Sequence, residues 1–170
     1  DLLRFSAGLF GFSLANYWTR NADNLLIGRY MGSTALGLYS RAYGLMLLPL
    51  SQVTAVISRV MFPALSRIQH DKPRVKSIYL RTVALIGFVT FPMMTGLLAV
   101  CGDFVLAVLG EKWGGLTSVL RILCVLGLFQ SVGSSAGWIY QSQGRTGLQL
   151  AWGLGSSAVT LSSVCLGVWL

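Results

Sequence analysis

Five long apolar runs constrain the fold of this chain more than any other feature. A helix needs about 20 predominantly apolar residues to cross a bilayer, and the chain offers such runs in five places. Because lipid supplies no hydrogen-bond partners, a segment of this kind must satisfy its backbone polar groups within a helix. We predict an all-α integral membrane protein, a polytopic bundle of about five transmembrane helices at residues 5–29, 39–65, 78–101, 116–140 and 148–170.

Charge is scarce in this chain. Only 11% of the residues are charged, against about 25% in a typical soluble domain. The net charge of +8 would favour nucleic acid binding in a soluble protein, but no nucleic-acid-binding motif accompanies it. The five acids, the one histidine and the three scattered cysteines form no metal-ligating or catalytic cluster. We therefore expect no nucleic acid partner, no metal, no cofactor and no enzyme activity.

The connections between the runs predict the orientation. We expect a GSTALG turn after the first run, a basic loop after the second and a QSQGRTG turn before the fifth. Segment 104–109 is too short to span, so an interfacial half-turn or short helix is expected there, with Asp103 as its cap and Trp113 following at the interface. Most loop cations fall on one side, which the positive-inside rule places in the cytoplasm. They are Arg4, Arg67, Lys72, Arg74, Lys76, Arg81 and Arg145.

Polar residues interrupt the first run on one helical face. Asn16, Arg20, Asp23 and Asn24 are spaced by four, three and one residues, which places them together at about 100° per residue. Arg20 and Asp23 are three residues apart and can pair. An ionisable group at mid-bilayer costs about 2.5–3.5 kcal/mol on insertion scales, so such residues are expected to face a bundle interior or a hydrated cavity.

A second polar face follows on the next run. Arg41 and Arg59 are 18 residues apart, five full turns, and Gln52 lies within about 20° of them. Arg41 and Arg59 are also close enough to the two interfaces to reach them by snorkelling. The fourth run carries a softer stripe of Gln130, Ser134, Gly137 and Gln141, and its Gly133 and Gly137 have the spacing of close helix packing.

Two interpretations of the polar faces remain open. The structural one is that Arg–Asp and Asn contacts hold the bundle together. The functional one is a cationic, hydrated cavity for an anionic or sugar-bearing substrate, because Asp23 is the only acid in the middle of a run and cannot neutralise both Arg20 and Arg59. Asp23 and Asn24 could instead have a structural role near the end of their helix.

A family resemblance is carried by three linked patterns. They are D-N-x-x-I-G, then G-x-x-x-L-G-x-Y, then P-x-L-S-R, and GDFVLAVLGEKW follows later. Together they resemble the Wzx-type polysaccharide and O-antigen exporters, the lipopolysaccharide biosynthesis proteins of the multidrug/oligosaccharidyl-lipid/polysaccharide flippase superfamily. The residues that match are Asp23, Asn24, Ile27, Gly28, Gly32, Leu36, Gly37, Tyr39, Pro63, Leu65, Ser66 and Arg67.

The resemblance implies an architecture and a mechanism. The chain starts at Asp1 and stops at Leu170 within the fifth run, and we expect residues 1–170 to be the start of the C-terminal lobe of a larger two-lobe flippase. Such a protein rocks between two states around a central cavity in the bacterial cytoplasmic (inner) membrane. Its substrate would be an undecaprenyl-pyrophosphate-linked oligosaccharide, with H⁺ or Na⁺ coupling, and its partners would be membrane lipids and polysaccharide-assembly enzymes.

Site residues follow from the resemblance together with the polar faces. Arg20, Arg59 and Arg41 would contact pyrophosphate or acidic sugar, and Asp23 would pair with Arg20 or couple the ion. Sugar hydroxyls would be held by Asn16, Asn24 and Gln52.

Two other functions compete with export. A multidrug antiporter of the same superfamily would favour acids in its cavity, to attract cationic drugs. A membrane polysaccharide polymerase or acyltransferase would need a catalytic cluster at a membrane face, and the acids and the histidine form none.

Overall fold

The computed structural model describes residues 2–144 and 146–169, and its regular elements are helices. A π-helical turn, Val105–Leu109, and a 3₁₀ turn, Glu111–Trp113, lie between the third and fourth α-helices. The six α-helices are α1 (Leu2–Tyr30), α2 (Gly32–Arg67), α3 (Lys72–Phe104), α4 (Leu116–Gly133), α5 (Ala136–Ser142) and α6 (Thr146–Trp169).

Three helical stretches are long and apolar enough to cross a membrane within the described residues. They are Gly32–Arg67, Lys72–Leu109 and Leu116–Ser142, and they confirm the second, third and fourth predicted runs as spanning candidates. The first and fifth runs form α1 and α6, of 29 and 24 residues. Their crossing of the bilayer stays a prediction. Arg145, in the connection before α6, lies outside the described residues.

The turn after the first run is shorter than predicted. The chain turns at Met31, and Gly32 takes a positive φ of 87° as α2 begins. The prediction of a turn across GSTALG was wrong, because Gly32 alone supplies the left-handed backbone that breaks the helix. The residues after it continue as helix, including Gly37.

The predicted cap at Asp103 was also wrong, although the segment after it does form a short helical turn, Val105–Leu109. Asp103 lies inside α3, and the helix continues through Phe104 into the π turn. The break comes at Gly110, which has a φ of 87° and whose N–H donates to the carbonyls of Val105 and Leu106. An apolar segment that follows a helix without a breaker extends that helix, and the first breaker after Asp103 is Gly110.

The predicted basic loop is mostly helix. Only Ile68–Asp71 separate α2 from α3, and α3 begins at Lys72. Asp71 caps it, with its Oδ1 accepting a hydrogen bond from the Arg74 N–H at 3.1 Å, and Pro73 occupies the first turn, where no N–H is needed. Four of the predicted loop cations, Lys72, Arg74, Lys76 and Arg81, therefore lie on the first turns of α3.

The chain divides into two compact units. One comprises Asp1–Leu36 and Gln143–Leu170, in which α1 packs along α6. A Cβ built on Gly11 would lie 3.5 Å from the Leu150 side chain, which is ordinary packing distance. The other unit comprises Gly37–Ser142 and contains most of α2 together with α3, α4 and α5.

The core of the second unit lies between α2, α3 and α4. Met46, Met94 and Leu120 are fully or almost fully buried there. Gly127 lets these helices approach, since a Cβ on it would lie 2.9 Å from the Met94 sulfur and 3.1 Å from Met46 Cγ. Pro49, Pro63 and Pro92 lie inside continuous helices, as membrane spans tolerate.

The fourth predicted span is interrupted. Ser134 and Ser135 form a turn between α4 and α5, and both hydroxyls donate to backbone carbonyls three residues earlier. Side-chain hydrogen bonds of this kind compete with the regular backbone hydrogen bonds of a helix. The predicted stripe from Gln130 to Gln141 is thereby divided, and a Cβ on Gly133 would meet nothing within 4 Å in the described part of the structure, so close helix packing at Gly133 stays a prediction.

Candidate functional site

The polar face of α2 is exposed on the second unit. Arg41, Gln52 and Arg59 share one side of the helix and all three are exposed, whereas Ala42, Met46 and Leu50 on the opposite side are buried. Because α2 contains no acidic residue, its own sequence cannot neutralise the two arginines. Packing within this unit therefore leaves the predicted face available to another surface or to a ligand.

Charge-free intervals predict the depth of this face in a membrane. From Arg81 to Asp103 the chain has no charged residue, a rise of about 33 Å along the helix, which matches the hydrocarbon core of about 30 Å. From Arg41 to Arg59 the corresponding interval is about 27 Å. We therefore expect the two arginines of α2 near the two boundaries of the core, with Gln52 between them.

A contact between α2 and α3 aligns these intervals. The Thr82 hydroxyl lies 3.4 Å from the Met61 sulfur, and at the other end Met46 and Met94 meet at Gly127. The two helices are thus antiparallel. Arg59 lies less than one turn deeper than Arg81, because Arg59 is two positions before Met61 on α2 and Arg81 is one position before Thr82 on α3.

Aromatic residues lie at the Arg41 end of the second unit, and one of them, Trp113, lies beside Arg41. The guanidinium carbon lies 6.0 Å from the Trp113 ring centroid, the outer range of a cation–π contact. Tyr39 and Tyr43 stack at 5.9 Å, and Gln130 Nε2 donates to the Tyr43 hydroxyl at 3.5 Å. The half-buried Trp113 suits the predicted interfacial position, and this arrangement supports interfacial snorkelling for Arg41.

The polar residues of α1 belong to the first unit. Asn16 and Arg20 lie on the α1 backbone, but their side chains are outside the described part of the structure. Asp23 and Asn24 are half-buried, and both make contacts. Asn21, also on α1, donates to the Tyr17 carbonyl at 2.8 Å. The predicted pairing of Arg20 with Asp23, and the meeting of this face with the α2 face, stay predictions.

The grooves on the second unit are apolar. One lies between α2 and α3 and is lined by Leu45, Pro49, Pro92 and Leu97, and another lies on α3 beside Phe88 and Phe91. Such surfaces suit lipid chains or neighbouring helices. Within the described residues, no three histidine, cysteine or carboxylate side chains are grouped to hold a metal.

Four contacts were not predicted from the sequence. Gly127 has an apolar neighbourhood and no motif, so nothing in the sequence distinguishes it from the other glycines of the chain. The other three pair distant residues: Tyr79 with Ser135, Tyr43 with Gln130, and Arg41 with Trp113. The sequence offered one indication of the contact between Arg41 and Trp113, because tryptophan is common at membrane interfaces and both residues lie near a predicted interface.

These observations define a multi-pass helical membrane protein with a cationic face on one of its helices. The chain belongs to the family described as polysaccharide biosynthesis protein, which matches residues 1–118. This confirms the Wzx-type resemblance.

Three curated relatives bear on the assignment. The lipopolysaccharide biosynthesis protein WzxC of Escherichia coli (strain K12) is 32% identical over 97% of this chain and 34% of its own length. The teichuronic acid biosynthesis protein TuaB of Bacillus subtilis (strain 168) is 31% identical over 89% of this chain and 32% of its own length. The succinoglycan biosynthesis transport protein ExoT of Rhizobium meliloti (strain 1021) is 30% identical over 73% of this chain and 25% of its own length. The chain spans about a third of the length of such relatives, and no solved structure matches it.

Proposed function

We propose that the full-length protein containing this chain exports polysaccharide precursors, moving a lipid-linked oligosaccharide from the inner to the outer leaflet by alternating access. The family, and the relatives whose names refer to lipopolysaccharide, teichuronic acid and succinoglycan, support this proposal. A transporter of this kind needs no catalytic cluster. Its place would be the bacterial cytoplasmic membrane, with assembly enzymes of the polysaccharide as partners.

The observation that carries the proposal is the exposed face of Arg41, Gln52 and Arg59. An amide at mid-bilayer depth is unfavourable against lipid and requires a polar or hydrated surface opposite it. Here that amide stands between two arginines on the same face, with no acid on the helix. A face of this composition is complementary to an anionic, hydroxyl-rich substrate.

The depths of the three residues suggest their roles. Arg59 lies near the cytoplasmic boundary of the core, where the pyrophosphate of a membrane-anchored substrate starts, and its guanidinium can hold phosphate oxygens bidentately. Gln52 would hydrogen-bond sugar hydroxyls in mid-membrane. Arg41 would meet the charged group near the opposite boundary.

The roles of the α1 residues rest on the family resemblance. Arg20 would contact pyrophosphate or acidic sugar, and Asn16 and Asn24 would bind sugar hydroxyls. Asp23 would pair with Arg20 or couple an H⁺ or Na⁺ gradient to transport.

A complementation experiment tests this proposal in cells that lack the gene. Arg59→Gln in the full-length protein should strongly reduce surface polysaccharide and raise the amount of unexported lipid-linked oligosaccharide, with the protein level unchanged. Arg59→Lys should restore part of the activity, because it keeps the charge and loses the fork.

The matched control is Arg121→Gln. Arg121 is an exposed arginine on α4, off the α2 face, so this variant should export normally. Normal export by both Arg59→Gln and Gln52→Ala would contradict the proposal.

A further inference from the structure

Five exposed cations surround the junction of α2 and α3 and form what we call the basic collar: Arg67, Lys72, Arg74, Lys76 and Arg81. The single acid within this stretch is Asp71, and its carboxylate accepts the Arg74 backbone N–H as the helix cap. The collar therefore keeps a strong excess of positive charge at one end of the second unit. Orientation by the positive-inside rule uses this charge but does not account for its fixed geometry.

The collar has a defined depth. The charge-free interval of α3 that matches the hydrocarbon core begins just after Arg81. Lys76 lies about 8 Å and Lys72 about 14 Å further out along the helix. The headgroup region adds about 5–8 Å on each side of the core, so Arg81 and Lys76 bracket the phosphate layer, and the rest of the collar lies within about a Debye length of it.

The collar also has a defined direction. Val75 is buried in the second unit and marks the packed side of α3. At about 100° per residue, Lys72 and Lys76 lie 60–100° to one side of Val75, and Arg74 and Arg81 lie 100–120° to the other. The packed side carries no cation. One flank presents the Lys pair outward, and the other flank presents the Arg pair.

We propose that the basic collar is a binding surface for anionic phospholipid headgroups of the cytoplasmic leaflet. Clustered cations next to a spanning helix attract anionic lipids, and here a four-residue connection and a capped helix hold them at phosphate depth. The occupant is the bilayer lipid rather than the transported substrate, because the collar surrounds the helix end on both flanks of α3. This inference does not depend on what the protein transports.

The test measures lipid binding to the full-length protein in phosphatidylcholine mixed micelles, by titration with fluorescent phosphatidylglycerol. Each cation near the surface contributes about fivefold to affinity, so K76Q/R81Q should weaken binding by about 25-fold. The control K112Q/R121Q removes one lysine and one arginine, both exposed and outside the collar, and should bind within twofold of the wild type. K76R/R81K, which exchanges the two cations, should also bind like the wild type.

The outcomes separate the lipid from other sources of phosphate. Equal loss of binding in K76Q/R81Q and K112Q/R121Q, or no loss in either, would overturn the proposal. Displacement of the lipid by millimolar inorganic pyrophosphate at constant ionic strength would also overturn it, because it would indicate a discrete phosphate site. If the double variant does not fold, the single variants K76Q and R81Q are measured instead, and each should bind phosphatidylglycerol about fivefold more weakly than the wild type.

Discussion

Gly127 on α4 and Met94 on α3 approach so closely that a methyl group on Gly127 would lie 2.9 Å from the Met94 sulfur. Met46 of α2 lies on the same spot, with its Cγ 3.1 Å from that position. Three helices therefore meet at one residue without a side chain. Methionine side chains are flexible, so the loss of stability when a larger residue replaces Gly127 depends on how far the two methionine side chains can move.

Gly127→Ala is expected to destabilise the protein by about 1–3 kcal/mol through overpacking. The measurement is unfolding of the purified full-length protein in detergent. Gly133→Ala is the matched control on the same helix, where a Cβ meets nothing within 4 Å. It should be neutral or slightly stabilising, because alanine is the better helix former. Equal stability of the two variants would show that the three helices do not meet at Gly127.

A hydrogen bond should connect α3 to the turn between α4 and α5. The Ser135 hydroxyl donates its one proton to the Val132 carbonyl at 2.7 Å, so the Tyr79 hydroxyl, 3.2 Å away, must be the donor to Ser135. Tyr79→Phe is expected to cost about 0.5–1.5 kcal/mol. When Tyr79→Phe is instead made in the Ser135→Ala protein, as in a double-mutant cycle, most of this loss of stability should disappear. Additive costs of the two changes would exclude the bond.

The helix cap at Asp71 should contribute measurably to stability. Asp71→Ala is expected to cost about 1 kcal/mol, and Asp71→Asn should lose little, because asparagine caps about as well. Asp103→Ala serves as the control, since Asp103 is exposed inside α3 and caps no helix. Faster hydrogen exchange at the first amides of α3 in the alanine variant alone would identify the cap. Unchanged exchange in Asp71→Ala would contradict it.

The orientation can be tested with two cysteines. In a full-length background without native cysteines, Lys112→Cys should react with a membrane-impermeant maleimide added to intact cells. Lys72→Cys should react only after the membrane is permeabilised, because the cation-rich end faces the cytoplasm. Both positions are exposed, so accessibility within the protein does not separate them. The reverse pattern would invert the orientation.

Sequence patterns predicted the helical class and the three central spans because apolar length alone decides those features. The ends of helices were harder to predict. Gly32 and Gly37 look alike in GSTALG, but only Gly32 takes a positive φ. Asp103 follows Gly102 and resembles a cap in sequence, yet both residues lie inside α3, and the helical backbone runs on through the π turn to Gly110.

The site was predicted in part. The shared side of Arg41, Gln52 and Arg59 follows from helical periodicity, and their exposure agrees with it. Periodicity could not show that Arg41 lies over Trp113, because about 70 residues of chain separate the two. Nor could it show that Ser134 and Ser135 divide the fourth run, since serines in a spanning helix more often stay within it.

The four-residue connection between α2 and α3 has a mechanical consequence. It contains a tight turn in which the Asp71 N–H donates to the Ile68 carbonyl at 2.9 Å, and further along the helices the Thr82 hydroxyl lies 3.4 Å from the Met61 sulfur. The two helices therefore form one antiparallel hairpin. In the proposed transport cycle, a tilt of this helix pair that moves the arginine face of α2 would also move Lys76 and Arg81 through the layer of lipid phosphates, so the anionic lipid content of the surrounding leaflet would affect how readily the pair tilts.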